Sequence, residues 1–172
     1  MVLLLVSMVG GVAWIYFAVK HDQAEVREAV ARGEFEIRNE ASAPLTIDEW
    51  QAVYPNTVSL RIGSTSVKAS VADTLAERIQ GLSGTPFLPD DVVKLFVFGT
   101  LGSHEIWMKD MNYSLDIIWA NQEGEIVHIE ESISPETYPT SFGSPIPAWY
   151  VIEAVEGFVN ERQIVVGDKI SI

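Results

Sequence analysis

The pattern of hydrophobic and polar positions divides the chain into three regimes. Residues 1–19, MVLLLVSMVGGVAWIYFAV, hold no charged side chain and stop at Lys20. As a helix rising about 1.5 Å per residue they would reach about 28 Å, close to the hydrocarbon thickness of a bilayer, so the stretch predicts one membrane crossing. A cleaved signal sequence is the competing reading, but it wants a basic start and a small-residue cleavage site, and this segment has neither.

Residues 21–56 turn polar and rich in Ala and Glu. DQAEVREAVAR ahead of Gly33 reads either as a short helix with a glycine stop or as a flexible linker. Thr46 with Glu49 makes a possible capping box before a helical turn over 50–54 that Pro55 ends.

Beyond residue 56 the period drops to two. Segments 58–62 and 65–71 flank Gly63 and Ser64 and read as a hairpin. A helix follows, with Asp73 as N-cap, Leu75, Ile79 and Leu82 as its apolar stripe and Gly81 at its end. Strands are then predicted over 93–98, 105–108, 115–120, 125–130, 148–155 and 168–172. Strands this short and closely spaced imply antiparallel pairing. The predicted fold is mainly β, an antiparallel β-sandwich or small β-barrel with one or two short helices, preceded by an N-terminal transmembrane helix. The domains are 1–20, a transmembrane anchor or signal sequence; 21–56, a stalk and short helical lead-in; and 57–172, a β domain.

Strand parity points to candidate chemistry. In 115–120, Leu115, Ile117 and Trp119 share one face and Asp116, Ile118 and Ala120 the other, so an acid sits in an otherwise apolar strand. Glu153 stands in the same position within 148–155. A buried carboxylate needs a cation, backbone amides or a proton of its own. Two readings are open. Lys109, Arg78 or loop amides satisfy Asp116 and Glu153 internally, or the two acids converge in a cleft as general acid and base or as a cation site. Along 104–109, Glu105, Trp107 and Lys109 face one way and His104, Ile106 and Met108 the other. Trp107 between charged neighbours is either a stacking platform or core beneath the 99–103 loop. The long connection 131–147, with four prolines in the sequence around Tyr138 and Phe142, is expected to drape over the sheet near Trp107.

Composition narrows the function classes. A net charge of −13 leaves no basic stripe for a phosphate backbone, so nucleic-acid binding is not expected. There is no cysteine, and His104 and His128 lack a neighbouring ligand at zinc-site spacing, so neither a metal nor a cofactor is expected. Lys20, Arg27 and Arg32 follow the apolar span, which by a literal positive-inside count would leave the domain in the cytoplasm; large domains translocate largely regardless of charge, and an extracytoplasmic domain is the expectation.

Several local motifs occur together in order: Ala72-Asp73-Thr74, Glu77-Arg78, Gly81-Leu82, Phe96-Val97-Phe98, Trp107-Met108-Lys109, Leu115-Asp116-Ile117-Ile118, Pro139, Tyr150-Val151-Ile152-Glu153, Gly157 and Gly167-Asp168. In this combination residues 57–172 resemble the DUF192 family of small bacterial and archaeal proteins. The resemblance implies a compact, mostly β domain with a helix near its start, often behind a signal sequence or anchor, and carries no assigned function. Ser83, Asp110-Met111 and Ser114 depart from the family's usual Met, Asn-Thr and Pro at these places.

The expected function is ligand binding by a single-pass membrane protein, the ligand a carbohydrate or envelope component held by Trp107, Lys109, Asp116, Tyr138 and Glu153. The alternatives are a carboxylate-dependent hydrolase or isomerase using Asp116 and Glu153, and a protein-partner or structural module. No feature of the sequence fixes the oligomeric state.

Overall fold

The computed structural model describes residues 32, 50–54 and 56–172. The expected anchor over 1–20 lies outside the described residues, as does nearly all of the stalk. Among the described residues no helix is long and apolar enough to cross a membrane.

The described elements are α1 (Trp50–Val53), β1 (Thr57–Ile62), β2 (Thr65–Ala72), α2 (Leu75–Gln80), β3 (Val92–Gly102), β4 (Ile106–Trp107), β5 (Leu115–Ala120), β6 (Ile126–Ile133), β7 (Ser141–Phe142), β8 (Ala148–Val155), α3 (Phe158–Glu161) and β9 (Ile170–Ser171). Seven strands form one sheet in the order β6-β5-β8-β3-β2-β1-β9, and β4 with β7 forms a separate ribbon. The domain is mainly β with few short helices, and its main sheet curls into a half-barrel.

The β1–β2 hairpin forms as expected, with Ile62 opposite Thr65 across the tight turn. The next connection corrects the expectation of antiparallel pairing throughout, because β2 and β3 run parallel. Parallel neighbours need a long crossover, and residues 73–91, carrying α2, supply it. The helix is capped by Thr74 rather than Asp73. The Thr74 hydroxyl accepts from the Glu77 amide at 3.3 Å, and the Glu77 carboxylate accepts from the Thr74 amide at 3.1 Å, a reciprocal capping box.

At one end the two edges of the sheet meet. Beside the bridge between Glu125 and Lys169, the Ile126 amide donates to the Asp168 carbonyl at 2.8 Å and the Ile170 amide to the Gly124 carbonyl at 2.7 Å. Gly124 permits this approach, since a Cβ there would stand 2.6 Å from the Ile170 carbonyl oxygen.

Curling gives the sheet two apolar faces. One core draws on all seven strands, through residues such as Leu60, Val67, Leu95, Ile118, Ile126, Ile152 and Ile170, with Phe158 and Val159 of α3 among them. The other gathers Phe96, Ile117, Trp119 and Val151 beneath Leu82, Leu88, Ile106 and Met108. Strand β5, flanked by β6 and β8, is therefore buried at every position. The 131–147 connection, expected to drape over the sheet near Trp107, carries short elements of its own. Strand β6 runs to Ile133, a 3-10 turn covers Pro135–Thr137, and β7 pairs with β4, placing Trp107 opposite Ser141.

Candidate functional site

A cleft opens between the C-terminal end of α2 and the β4–β7 ribbon, above the sheet. Arg78, Gln80 and Gly81 line one wall, Trp107, Glu105 and Ser141 the other. Phe96 and Glu153, both buried, rise from β3 and β8.

Glu153 occupies the middle of a strand that has neighbours on both sides, with Lys94 of β3 and Ile117 of β5 as its register partners. Its side chain stands off the sheet towards the C-terminal end of α2, with Oε2 3.9 Å from where a Cβ on Gly81 would lie. Oε2 meets no hydrogen-bond partner, the one buried side-chain polar atom so stranded among the described residues. Burial pushes the Glu153 carboxyl up to about 8, outweighing the opposite pull of the Lys94 ammonium, so the group is largely uncharged at neutral pH. Lys94 donates instead to the Ser70 hydroxyl at 3.2 Å. Burial pushes the Lys94 ammonium below its ordinary value, against the attraction of Glu153 and Glu77.

The walls are held by specific contacts. Arg78 donates to the carbonyls of Asp73 at 2.6 Å and Val97 at 3.1 Å, and its guanidinium lies 5.5 Å above the Phe98 ring. Trp107 is half-buried, and Tyr138 meets it edge-on, with ring centroids 6.4 Å apart and planes at 74°. Near Glu153, the Tyr113 hydroxyl lies 2.6 Å from Thr85 Oγ1 and 3.4 Å from the Tyr54 hydroxyl, which donates to the Phe87 carbonyl. Burial raises both tyrosine pKa values, and the field of Glu153 adds to the rise.

The structure brings together three of the five residues expected to bind. Trp107 and Glu153 line the cleft, and Tyr138 braces Trp107. Asp116 is elsewhere. It pairs with Ala154 across β5 and β8 while Glu153 pairs with Ile117, so the two acids project from opposite faces of the sheet. They cannot act on one bond. Asp116 is satisfied by backbone amides, Oδ1 accepting from Ser132 at 2.9 Å and Oδ2 from Val159 at 3.0 Å. Lys109 is not part of the cleft lining; its ammonium meets Asp110 at 2.6 Å and its carbonyl accepts from the Ser83 hydroxyl at 2.7 Å.

Arg78, Glu105 and Gly81 were not expected as cleft residues, and Lys94 was missed beside Glu153. A signal for Lys94 exists in the sequence, where VVKLFVF places a charge at the centre of an apolar strand, as Asp116 does in LDIIWA. The wall formed by α2 had no such signal, because its position depends on the crossover. Among the described residues no cluster of His, Asp or Glu is arranged to hold a metal ion.

Solved structures share the fold. A protein from Sinorhizobium meliloti 1021, described as a candidate transcription regulator, is 25% identical with a TM-score of 0.65, over 67% of this chain and 93% of that one. A protein of unknown function from Novosphingobium aromaticivorans DSM 12444 is 23% identical with a TM-score of 0.63, over 78% of this chain and 96% of that one. No curated protein sequence matches significantly. Residues 58–172 match a family described as "Uncharacterized ACR, COG1430", and the chain belongs to this family, DUF192.

Proposed function

We propose that the β domain binds a small polyhydroxylated ligand, one sugar ring of a carbohydrate or envelope component, in the cleft between α2 and the β4–β7 ribbon. The observation that carries this reading is the Glu153 carboxyl, 5% exposed and bordering the cleft with Oε2 unpartnered. Leaving a buried polar atom unmet costs about 1–3 kcal/mol, and a ligand hydroxyl would recover that cost. A carboxyl that keeps its proton at neutral pH both donates and accepts, which suits a hydroxyl better than an ion. Trp107 supplies an aromatic face for the apolar side of a pyranose ring, and Arg78 and Glu105 supply polar contacts at the walls. A few polar groups converging in a largely apolar concavity is the usual composition of a small-ligand site.

In this reading residues 1–19 tether the domain on the outer side of a membrane, beside envelope glycans; the support is their length and lack of charge. The name given to the Sinorhizobium meliloti protein would suggest contact with nucleic acid, but a net charge of −13 weighs against transferring that role here.

The test is a calorimetric titration of the full chain in detergent with oligosaccharides of glucose, galactose and N-acetylglucosamine. Binding to at least one series, weakened in both Trp107→Ala and Glu153→Ala, is expected. Absence of binding across the panel, or binding indifferent to both substitutions, overturns the reading.

A further inference from the structure

We infer that the cleft hydrolyses a glycosidic bond of its ligand, with Glu153 as general acid and Glu105 as the carboxylate that activates water. The inference rests on the sugar-binding reading and adds a reaction to it.

Hydrolysis of an acetal linkage needs two carboxyl groups at one bond with different duties, one holding a proton for the departing oxygen and one ionised to receive a proton from water. The cleft offers such a pair. Glu153 lies at its buried side with Oε2 unpartnered, and Glu105 is exposed on the opposite wall. Burial lets the Glu153 carboxyl keep its proton, while Glu105, exposed on the other wall, meets the water of the open cleft. Glu105 and Trp107 share a face of the segment leading through β4, where burial alternates from exposed at Glu105 to buried at Ile106 to half-buried at Trp107. A ring stacked on Trp107 therefore lies beside Glu105, with its linkage within the cleft that Glu153 borders. Asp116, on the other face of the sheet, takes no part.

In the step itself, the Glu153 O–H transfers its proton to the bridging oxygen as the bond from that oxygen to the anomeric carbon breaks. Water bonds to the anomeric carbon and gives a proton to the Glu105 carboxylate. Two hydroxyl products leave, and proton exchange with solvent returns Glu153 to its acid form and Glu105 to its carboxylate. Only water is consumed. Arg78, fixed by the Asp73 and Val97 carbonyls, is placed to hold ring hydroxyls and does not exchange protons.

The full chain in detergent is assayed with 4-nitrophenyl glycosides of glucose, galactose and N-acetylglucosamine and with the corresponding oligosaccharides, by released nitrophenol and by new reducing ends. The result expected is turnover of at least one series, reduced about 100-fold or more on the oligosaccharides in Glu153→Gln and on both substrate types in Glu105→Gln. Binding of a thio-linked disaccharide of the same sugar should persist in Glu153→Gln, since glutamine, like a protonated carboxyl, both donates and accepts. Thermal melts of both variants establish that they fold. Oligosaccharide turnover that survives either substitution overturns the assignment. Binding of the thio-linked sugar by the wild-type chain with no turnover overturns the reaction and leaves the sugar site standing; no binding of any sugar overturns both.

Discussion

Lys94 and Glu153 are register partners on β3 and β8, yet they form no ion pair. Lys94 donates to the Ser70 hydroxyl at 3.2 Å, and Glu153 Oε2 has no partner. Pairing them as ions would require stripping water from both, and the attraction gained does not cover that loss when the geometry is imperfect. The carboxyl keeps a proton instead, which ties the stability of the fold to pH.

The sign of that dependence follows from the shift. In the folded chain Glu153 titrates at about 8, against an ordinary value of 4.5. Between those two values the native state holds a proton that the unfolded chain releases, so stability falls as pH rises through this window, and the loss is complete above about 8. Lys94, pushed down by burial, has the opposite slope, leading up to its ordinary 10.5, and it is present in both proteins compared. Wild-type protein is expected to melt several degrees higher at pH 5 than at pH 8, and Glu153→Gln to lose most of that difference. Parallel melting curves for the two proteins across this range would mean that Glu153 is ionised in the fold.

Asp116 has a different role. Its two oxygens accept from the amides of Ser132 and Val159, tying β5 to an irregular residue of β6, at φ 57°, and to the first turn of α3. Asp116→Ala leaves both amides without their acceptor, at a cost of about 3 kcal/mol, which should lower the melting temperature by roughly 10 °C. Asp116→Asn keeps one accepting oxygen and should lose about half as much. Sugar affinity, measured well below the melting range, should not change in either variant. A wild-type melting temperature for Asp116→Ala would remove the clamp.

How far this was legible in the sequence depends on the range of the interaction concerned. Alternation within β5 and β8 identified Asp116 and Glu153 as acids in apolar strands, and both are buried. Alternation along 104–109 is likewise reproduced, from buried His104 to exposed Glu105 and onward to buried Met108. Parity assigns faces within one strand only. Whether the acids of two strands share a face depends on register, and here Asp116 stands opposite Ala154 rather than Glu153. The parallel β2–β3 pair was hidden for a related reason: hairpin chemistry is local, while the crossover through α2 is set by packing on the sheet. The pairing of β4 with a two-residue strand inside the 131–147 connection leaves no period long enough to read.

Gly81 fixes the wall opposite Trp107. Its backbone, at φ 50° and ψ −124°, lies where L side chains are rarely found. A Cβ there would stand 3.3 Å from Phe96 Cζ and 3.9 Å from Glu153 Oε2. Gly81→Ala is therefore expected to cost about 2 kcal/mol in stability, as strained positions of this kind do, and to weaken sugar binding by crowding the carboxyl that the ligand would meet. Chemical denaturation and titration on the same preparation separate the two effects. A stable Gly81→Ala with unchanged affinity would show that α2 can shift away from the sheet, and the wall would then not be fixed by this residue.

Tyr138 reaches the cleft only through Trp107, with its ring edge-on at 6.4 Å and 45% of its own surface exposed. An edge-to-face aromatic pair contributes about 0.5–1.5 kcal/mol, enough to hold a half-buried indole in one orientation and too little to build the site. Trp107→Ala should weaken sugar binding about tenfold or more by removing the stacking face, whereas Tyr138→Ala should weaken it a few-fold by letting that face move. If Tyr138 acts through Trp107, the double variant should bind no more weakly than Trp107→Ala alone, because the brace has nothing left to hold. Affinities of all four proteins for one oligosaccharide complete the cycle. Additive losses would instead place Tyr138 in direct contact with the ligand and extend the binding surface beyond the cleft, along the 131–147 connection.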